Sequence, residues 1–392
     1  MDALQPADRS ERVSLSWRRK LLFTCLLLVV TWLLAEVALR IVGYDFADPQ
    51  RALQQVPPFY RQPTEALAEF TYMRPGDIRW QGQPLQQQLR NQGFNDTDYD
   101  HEPVRDFHYD GDGFRNPAGL VDWDIVVVGD SFTELGYLPV EDLFTSVLAR
   151  QLNCSVKNLG VSHTGPLTHL VYLEEFGLAE STRAAVLVFF EGNDLDDLQL
   201  EEMRRQRSRQ PGYRHRGLLL EQHQPQRSLS LALLDWFSSG SPQAVGSAAN
   251  ATFRAAGIQQ RVTVNYAPDP LVEDGQRHQL LTAALDRWGA LCRQHQLDVW
   301  LLYMPCKHRV LADFLQLDGN AHPLLRAWRP NNLRGQLRDL CLDRDINFID
   351  PTVHLSEMAA QGESPFNTVY DTHLNQAGSA AVGQLLAEEL AP

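Results

Sequence analysis

A serine stands directly after an apolar run in the stretch 124–134. Residues 125–128 are Ile-Val-Val-Val, which predicts a buried strand that ends at Gly129. Ser131 follows two residues later, just before a predicted helix start. A serine on such a turn lies at the edge of a sheet with backbone N–H groups beside it, which suits nucleophilic attack on an acyl carbon. From this stretch alone, a plain polar turn explains the residues equally well.

Three other segments carry polar residues of the types that a serine nucleophile needs. Residues 158–165 and 191–194 each follow a predicted strand, and residues 370–375 precede the last predicted helix. If the first three strands are neighbours in a parallel sheet, the loops after them meet at one edge. The sequence therefore predicts one site built from Ser131 and these segments.

The residue types suggest roles within this site. His373 is suited to take the proton of Ser131 as a general base, and Asp371, two residues earlier, can orient the imidazole. The candidate donors to an oxyanion are the backbone N–H groups of Ser131 and Gly160 and the side-chain amide of Asn193. Taken singly, Gly160 and Asn193 are explained at least as well as ordinary turn residues.

Strands and helices alternate along the rest of the chain. The predicted strands span 124–128, 155–159, 184–190, 297–304 and 345–349. The predicted helices span 142–152, 166–178, 276–295, 323–343 and 376–390. This alternation predicts an α/β fold with a five-stranded parallel sheet covered on both faces, in the flavodoxin-like order 2-1-3-4-5.

The four blocks together resemble those of the SGNH (GDSL-like) hydrolases. Ser131 stands in Gly-Asp-Ser, Gly160 in Asn-Leu-Gly, Asn193 in Gly-Asn-Asp and His373 in Asp-Thr-His, in the family's order. The resemblance covers about residues 107–390. It implies a three-layer α/β/α sandwich and acyl-ester chemistry through Ser131, with no metal or organic cofactor.

The last block departs from the family's common Asp-x-x-His pattern. Tyr370 stands three residues before His373, and the nearest acid, Asp371, stands two before it. An Asp-x-His block is similar to that of polysaccharide O-acetyltransferases and related esterases. Two arrangements are therefore open: a triad with Asp371, and a dyad in which a backbone carbonyl orients His373.

A long apolar segment near the amino terminus predicts a membrane helix. Residues 21–42 would span roughly 33 Å, enough for a bilayer core. The basic residues 18–20 precede it, so the positive-inside rule places the amino terminus in the cytoplasm and the rest of the chain outside. A cleaved signal peptide is the alternative, although residues 35–38 form a poor cleavage site. Residues 112–116 also look like a segment of membrane-anchored bacterial SGNH hydrolases.

The predicted organisation has four parts. They are a cytoplasmic tail (1–20), a membrane anchor (21–43), a linker or amino-terminal extension (44–106) and an SGNH hydrolase-like catalytic domain (107–392). An insertion at about 195–273 interrupts that domain. Its basic run, 204–216, is a candidate lid.

Composition narrows the function classes. The net charge of −14 argues against a nucleic-acid partner. The five cysteines show no CxxC or close Cys/His spacing, so no zinc site is predicted, and their pairing stays open. The acidic cluster 194–197 is predicted to be a solvated helix start, and residues 306–308 a loop.

Three functions fit these observations. The first is a serine esterase or deacylase acting outside the cytoplasmic membrane on acyl esters of glycans or lipids, with O-acetyl groups on glycans as candidate substrates. The second is an O-acyltransferase that passes the acyl group from the serine to a polysaccharide hydroxyl. The third is a catalytically silent protein that binds a glycan or an assembly partner, and intact Ser131 and His373 count against it.

Overall fold

The structure of the 392-residue chain is a computed structural model. It describes residues 16–44, 74, 76–91, 94, 99–208, 228–231 and 248–391. The chain divides into two compact units. One comprises Met1–Ala52 with Gln222–Gln243, and the other comprises Leu53–Glu221 with Ala244–Pro392.

The first unit contains one long helix, α1. It spans Trp17–Val42 and ends at Gly43, whose left-handed φ of 71° is a common helix stop. None of its residues is buried, and by length and composition it could cross a membrane. Glu36 and Arg40, one turn apart, form an ion pair at 2.6 Å. The two charges at the far end of this apolar helix therefore lie on one face and neutralise each other.

The second unit contains the predicted parallel sheet. In chain order, the strands of this sheet and of two smaller sheets are β1 (Arg79–Gly82), β2 (Arg105–His108), β3 (Ile125–Gly129), β4 (Val156–Gly160), β5 (Ala184–Phe190), β6 (Ala251–Ala255), β7 (Ile258–Val262), β8 (Asp298–Met304), β9 (Leu315–Leu317) and β10 (Asn347–Ile349). The main sheet has the order β10-β8-β5-β3-β4, and each neighbouring pair is parallel. Numbered along the chain, this is 2-1-3-4-5, so the predicted strand order is confirmed.

Helices cover both faces of the main sheet. In chain order after α1, the described α-helices are α2 (Pro84–Asn91), α3 (Ser131–Glu134), α4 (Phe144–Leu152), α5 (Pro166–Tyr172), α6 (Asp194–Ser208), α7 (Gln276–Gln294), α8 (Lys307–Val310), α9 (Pro323–Ala327), α10 (Leu333–Leu342), α11 (Thr352–Ala360) and α12 (Gln376–Leu390). Those from α3 onward contribute residues to the two core clusters on the faces of this sheet, whereas α2 packs in a separate small cluster. Successive residues of β3 point to opposite faces. Ile125 and Val127 pack in the cluster with α4 and α12, whereas Val126 and Val128 pack in the cluster with α5, α7 and α10. The predicted three-layer α/β/α sandwich is therefore confirmed.

The structure differs from the predicted pattern in several places. Residues 307 and 308, predicted as part of a loop, begin the short helix α8. The predicted helix 323–343 is two helices, α9 and α10, with Pro330 in the break between them. Residues 251–262 of the predicted insertion form β6 and β7, an antiparallel pair that β9 joins through β6. α2 lies in a segment predicted as linker, and Leu85 and Leu89, four residues apart, are buried on one face of it.

Two open points of the sequence concern cysteines and the lid. All five cysteines are free thiols, and Cys292, Cys306 and Cys341 are buried. The candidate lid is described only as far as Ser208, where α6 ends, and the remainder of the basic run lies outside the described residues.

Candidate active site

Ser131 lies at the carboxyl end of β3, on a tight turn into α3. Asp130 caps this short helix, because its side-chain oxygen accepts from the backbone N–H of Phe132 at 2.9 Å. Gly129 makes the turn possible, since a Cβ there would lie 2.1 Å from the hydroxyl oxygen of Thr133. The turn therefore holds Ser131 at the sheet edge, in a first helical turn, where backbone N–H groups have no partner within the helix.

The segment before α12 brings the predicted base and acid to Ser131. His373 Nε2 lies 2.7 Å from Ser131 Oγ, and His373 Nδ1 lies 2.8 Å from Asp371 Oδ1. Tyr370 adopts a left-handed φ of 62°, so the chain turns sharply just before Asp371. Ser131, His373 and Asp371 therefore form one chain of hydrogen bonds, the arrangement of a serine-hydrolase triad.

Asp371 is buried, and both of its carboxylate oxygens have partners. While Oδ1 faces His373, Oδ2 accepts from Asn367 Nδ2 at 2.6 Å and from the backbone N–H of His373 at 3.2 Å. Burial alone would raise the pKa of Asp371, but the charge of His373 and these hydrogen bonds hold that pKa below its ordinary value. The carboxylate is therefore ionised at neutral pH, as the acceptor that fixes an imidazole tautomer must be.

Gly160 does not enter the site as a donor. Its backbone N–H donates to Asn158 Oδ1 at 2.8 Å. A Cβ on Gly160 would lie 2.3 Å from the backbone nitrogen of Glu134, at the end of α3. The glycine is therefore needed for the close packing of β4 against α3, and the expected role of its N–H toward an oxyanion does not fit this geometry.

Asn193 follows β5 and reaches the site with its side-chain amide. Its Nδ2 donates to Asp197 Oδ2 at 2.7 Å, and its Oδ1 is buried with no hydrogen-bond partner among the described residues. An amide nitrogen carries two hydrogens, so one is left for a bound oxyanion after the bond to Asp197. Asn193 therefore meets the requirement for an oxyanion donor, and it lines the same cavity as Ser131 and His373.

A cavity of about 480 Å³ opens over Ser131 and His373. Aromatic rings form much of its wall: Trp80, Phe107, Tyr109, Tyr137, Tyr266 and Tyr370. Amide side chains from Gln87, Gln88, Asn193 and Asn265 also line it. Several of these residues belong to β1, α2 and β2, so the amino-terminal extension forms one side of the cavity.

His163 is a lining residue that the sequence analysis gave no role. It follows β4 with a left-handed φ of 63°, and its exposed side chain faces the cavity together with Ser162. In the sequence it is one polar residue among several in a loop, and no spacing distinguishes it from a surface histidine.

Glu134 is a buried charge beneath the turn that carries Ser131. It accepts from Arg74 Nε at 2.7 Å and Nη2 at 2.8 Å, from the Tyr109 hydroxyl at 2.9 Å and from the Ser162 backbone N–H at 2.8 Å. Burial alone would raise the pKa of Glu134, but the charge and hydrogen bonds of Arg74 lower it to about 2. The amino-terminal extension is thereby tied to the catalytic turn. Sequence reasoning missed this pair because 60 residues separate its members.

Further acidic residues lie behind the site at the start of α6. Asp194 is completely buried, and its Oδ2 accepts from the backbone N–H of Phe190, at the end of β5, at 2.8 Å. Burial and the charge of Asp130 raise the pKa of Asp194 well above its ordinary value. Burial and the charge of Glu201 raise the pKa of Asp197 to about 8. The prediction of a solvated helix start is therefore wrong for Asp194.

Comparisons with known proteins return matches among solved structures. No protein-family model matches the chain, and no curated protein sequence matches it. The chain is similar to a protein described as lipolytic and of the G-D-S-L family from Desulfitobacterium hafniense DCB-2, with 11% identity and a TM-score of 0.36, over 69% of this chain and 100% of that one. It is also similar to the acetyl xylan esterase AlAXEase, with 11% identity and a TM-score of 0.36, over 68% of this chain and 99% of that one.

A third similar structure is a carbohydrate esterase family 2 enzyme with a carbohydrate binding domain from Corynascus thermopiles (Myceliophthora fergusii). Its identity is 12% and its TM-score 0.36, over 74% of this chain and 71% of that one. GDSL-type lipolytic proteins and acetyl xylan esterases are therefore among the proteins that this chain is similar to.

Proposed function

We propose that the chain is a membrane-anchored serine hydrolase of the SGNH (GDSL-like) type, which cleaves acyl esters outside the cytoplasm through an acyl-enzyme on Ser131. The observation that carries the proposal is the chain of hydrogen bonds from Ser131 through His373 to Asp371, at 2.7 and 2.8 Å. Ser131 and His373 are 242 residues apart, and they meet beneath a cavity large enough for a small ligand.

In the proposed reaction each residue has a step. His373 Nε2 accepts the proton of Ser131 as Oγ attacks the acyl carbon, and the Asp371 carboxylate stabilises the imidazolium that forms. The oxyanion accepts from the Ser131 backbone N–H and the Asn193 amide. The imidazolium then gives its proton to the leaving alcohol. Water, deprotonated by His373, then attacks the acyl carbon, and the imidazolium returns that proton to Ser131 Oγ as the carboxylic acid leaves.

The cavity wall favours an ester of a polyhydroxylated alcohol. Aromatic rings such as Trp80 and Tyr266 present flat apolar faces, and the amides of Gln87, Gln88 and Asn265 can both donate and accept. A sugar ring presents both an apolar face and outward hydroxyl groups. We therefore propose O-acetyl groups on glycans as the substrate class.

An ester panel tests this function on the full chain in detergent. The substrates are p-nitrophenyl acetate, butyrate and octanoate together with acetylated oligosaccharides, and the product measured is free acid. We expect acetate release that Ser131→Ala lowers at least 10⁴-fold while the thermal midpoint stays near that of the wild type. Activity that survives Ser131→Ala would overturn the nucleophile assignment. Acetyl transfer to an added glycan in excess of free acid would instead establish the acyltransferase reaction.

The proposed location follows from α1 and its flanks. Arg18, Arg19 and Lys20 lie in the first turn of the helix, whereas the charged residues near its far end are the paired Glu36 and Arg40. By the positive-inside rule, the second unit then lies outside the cytoplasm. A carboxyl-terminal alkaline phosphatase fusion should be active and a matched green fluorescent protein fusion dark, and the reverse result would refute the orientation.

A further inference from the structure

Lysine is rare in this chain, and one of its lysines is completely buried beside the catalytic loop. Of the 35 lysine and arginine residues, only Lys20, Lys157 and Lys307 are lysines. Lys307 begins α8, after β8, and its relative exposure is 0%. In the part of the chain that the structure describes, no carboxylate forms an ion pair with it. A buried ammonium group without an ionic partner is costly, so its position calls for an explanation.

The ammonium group of Lys307 donates to three main-chain carbonyls. They belong to Asn367 at 2.5 Å, Thr368 at 3.3 Å and Asp371 at 2.5 Å. An ammonium group has three hydrogens, so its donors and these acceptors match in number. The planar guanidinium of arginine cannot point its hydrogens at three converging carbonyls in this way, which accounts for a lysine here in a chain whose basic residues are mostly arginines.

These carbonyls lie in the loop that carries Asp371, the residue that orients His373. The loop returns on itself through two backbone hydrogen bonds, from Asn367 N–H to the His373 carbonyl at 2.9 Å and from Asp371 N–H to the Val369 carbonyl at 2.7 Å. Tyr370, at left-handed φ, turns the chain between them. Carbonyls on both sides of this turn therefore converge on Lys307, which lies outside the lining of the substrate cavity.

We infer that Lys307 is a positioning residue, whose ammonium group gathers the carbonyls of residues 367, 368 and 371 and thereby sets the orientation of Asp371 and His373 toward Ser131. The inference rests on the proposed function for its catalytic consequence. The structural part of the inference, that Lys307 holds the loop 366–374 in place, does not depend on the proposed function. Burial lowers the pKa of Lys307 to about 7, opposed by the charge of Asp371, and an uncharged lysine would leave one of the three carbonyls without a donor.

Lys307→Met tests the inference, because methionine keeps most of the volume and removes every donor. The matched control is Lys157→Met, which removes a second buried lysine, paired with Asp110 at 3.4 Å. For each full-length variant in detergent, kcat and KM for p-nitrophenyl acetate are measured together with amide hydrogen exchange. We expect Lys307→Met to lower kcat about 10- to 100-fold with KM within about twofold, because a small misplacement of catalytic groups slows the chemical step more than binding. Lys157→Met should leave kcat unchanged.

Hydrogen exchange separates this inference from the proposed function. In Lys307→Met, peptides within 366–374 should exchange at least about tenfold faster, while peptides of β3 and β5 keep wild-type rates. If the wild-type protein has no esterase activity but Lys307→Met still shows this faster exchange, the proposed function is refuted. The role of Lys307 in holding the loop is then retained. Unchanged exchange in the loop, or faster exchange with unchanged kcat, would overturn the inference. If Lys307→Met does not fold, Lys307→Gln, which keeps two donors, takes its place under the same criteria.

Discussion

Replacing Asp371 by asparagine should invert the hydrogen-bonding pattern of the catalytic histidine. In the wild type, Oδ1 accepts from His373 Nδ1, and Oδ2 accepts from two donors, Asn367 Nδ2 and the His373 backbone N–H. An asparagine has only one oxygen to serve both sides. Because two donors meet on the Oδ2 side and one on the other, the amide oxygen should turn toward Asn367 and present its NH₂ group to the imidazole.

The expected loss of activity in Asp371→Asn follows from the number of hydrogen bonds on each side of residue 371. With an NH₂ group facing Nδ1, the imidazole carries its proton on Nε2 and can no longer accept the proton of Ser131. Restoring the catalytic tautomer would turn the NH₂ group toward the two donors and lose two hydrogen bonds, at about 1–1.5 kcal/mol each. That is about 30- to 150-fold in population, and the loss of the negative charge facing the imidazolium adds to it. We expect kcat/KM to fall about 10²- to 10⁴-fold.

The assay is p-nitrophenyl acetate hydrolysis by the full chain, with thermal unfolding measured in parallel. Asp350→Asn is the matched control, because Asp350 accepts from Thr352, at the start of α11, and pairs with Arg334 at 3.4 Å, and neither partner lines the cavity over Ser131. Tyr370→Phe tests the alternative position three residues before His373 and should change kcat/KM little. If Asp371→Asn keeps kcat/KM within about threefold of the wild type, the triad is refuted in favour of a dyad.

Three further predictions concern stability. The pKa of Asp197 is raised to about 8 from an ordinary 3.8, so between these pH values the folded chain holds a proton on Asp197 that the unfolded chain releases. The free energy of unfolding should therefore fall as pH rises from 5 to 8. In urea denaturation, Asp197→Asn should show a shallower fall over the same pH range. Arg74→Met leaves the Glu134 carboxylate buried without its cation and should cost about 3–5 kcal/mol, whereas Arg261→Met, from a partly exposed pair with Asp318, should cost about 1 kcal/mol or less in the same urea titration. Gly160→Ala should destabilise by about 1–3 kcal/mol, because its Cβ would overlap α3, and wild-type kcat in the folded fraction would show that its role is packing.

The sheet could be predicted because three of its strands, β3, β5 and β8, contain uninterrupted apolar runs between polar turns. Residues 125–128 and 184–190 are apolar on both faces, which only a strand buried between two helical layers requires. The three-stranded antiparallel sheet of β6, β7 and β9 could not be predicted in this way. Its third strand, Leu315–Leu317, has three residues and pairs with Ala251–Phe253 far away in the sequence, so neither periodicity nor length marks it.

The hydrogen-bonded grouping of Ser131, His373 and Asp371 could be predicted because each of these residues stands beside an element that the sequence shows. Ser131 follows a strand, and Asp371 and His373 precede a helix that Asn375 caps. At the end of β4 and in the loop after it, however, Gly160, Ser162, His163, Thr164 and Gly165 are equivalent by spacing alone. The structure directs Gly160 into packing and His163 toward the cavity, a distinction that depends on contacts with α3. Burial of Asp194 and Lys307 was equally hidden, because their charge is typical of the surface.

Buried charge supports the catalytic residues from two sides. Glu134 accepts hydrogen bonds from Arg74 beneath the turn that carries Ser131, and Lys307 donates to three carbonyls behind the loop that carries Asp371. Such groups contribute little net stability, since well-packed apolar residues often replace them without loss. These buried groups instead fix the orientation of the loops they contact, because their hydrogen bonds are satisfied in only one orientation of each loop. Ser131 and His373 are 242 residues apart in the chain, yet Ser131 Oγ and His373 Nε2 lie only 2.7 Å apart. A proposed catalytic pair that comes from such distant elements needs each element to be held in place separately. Glu134 contacts the turn that carries Ser131, and Lys307 contacts the loop that carries His373, so each buried group lies at one of these two elements.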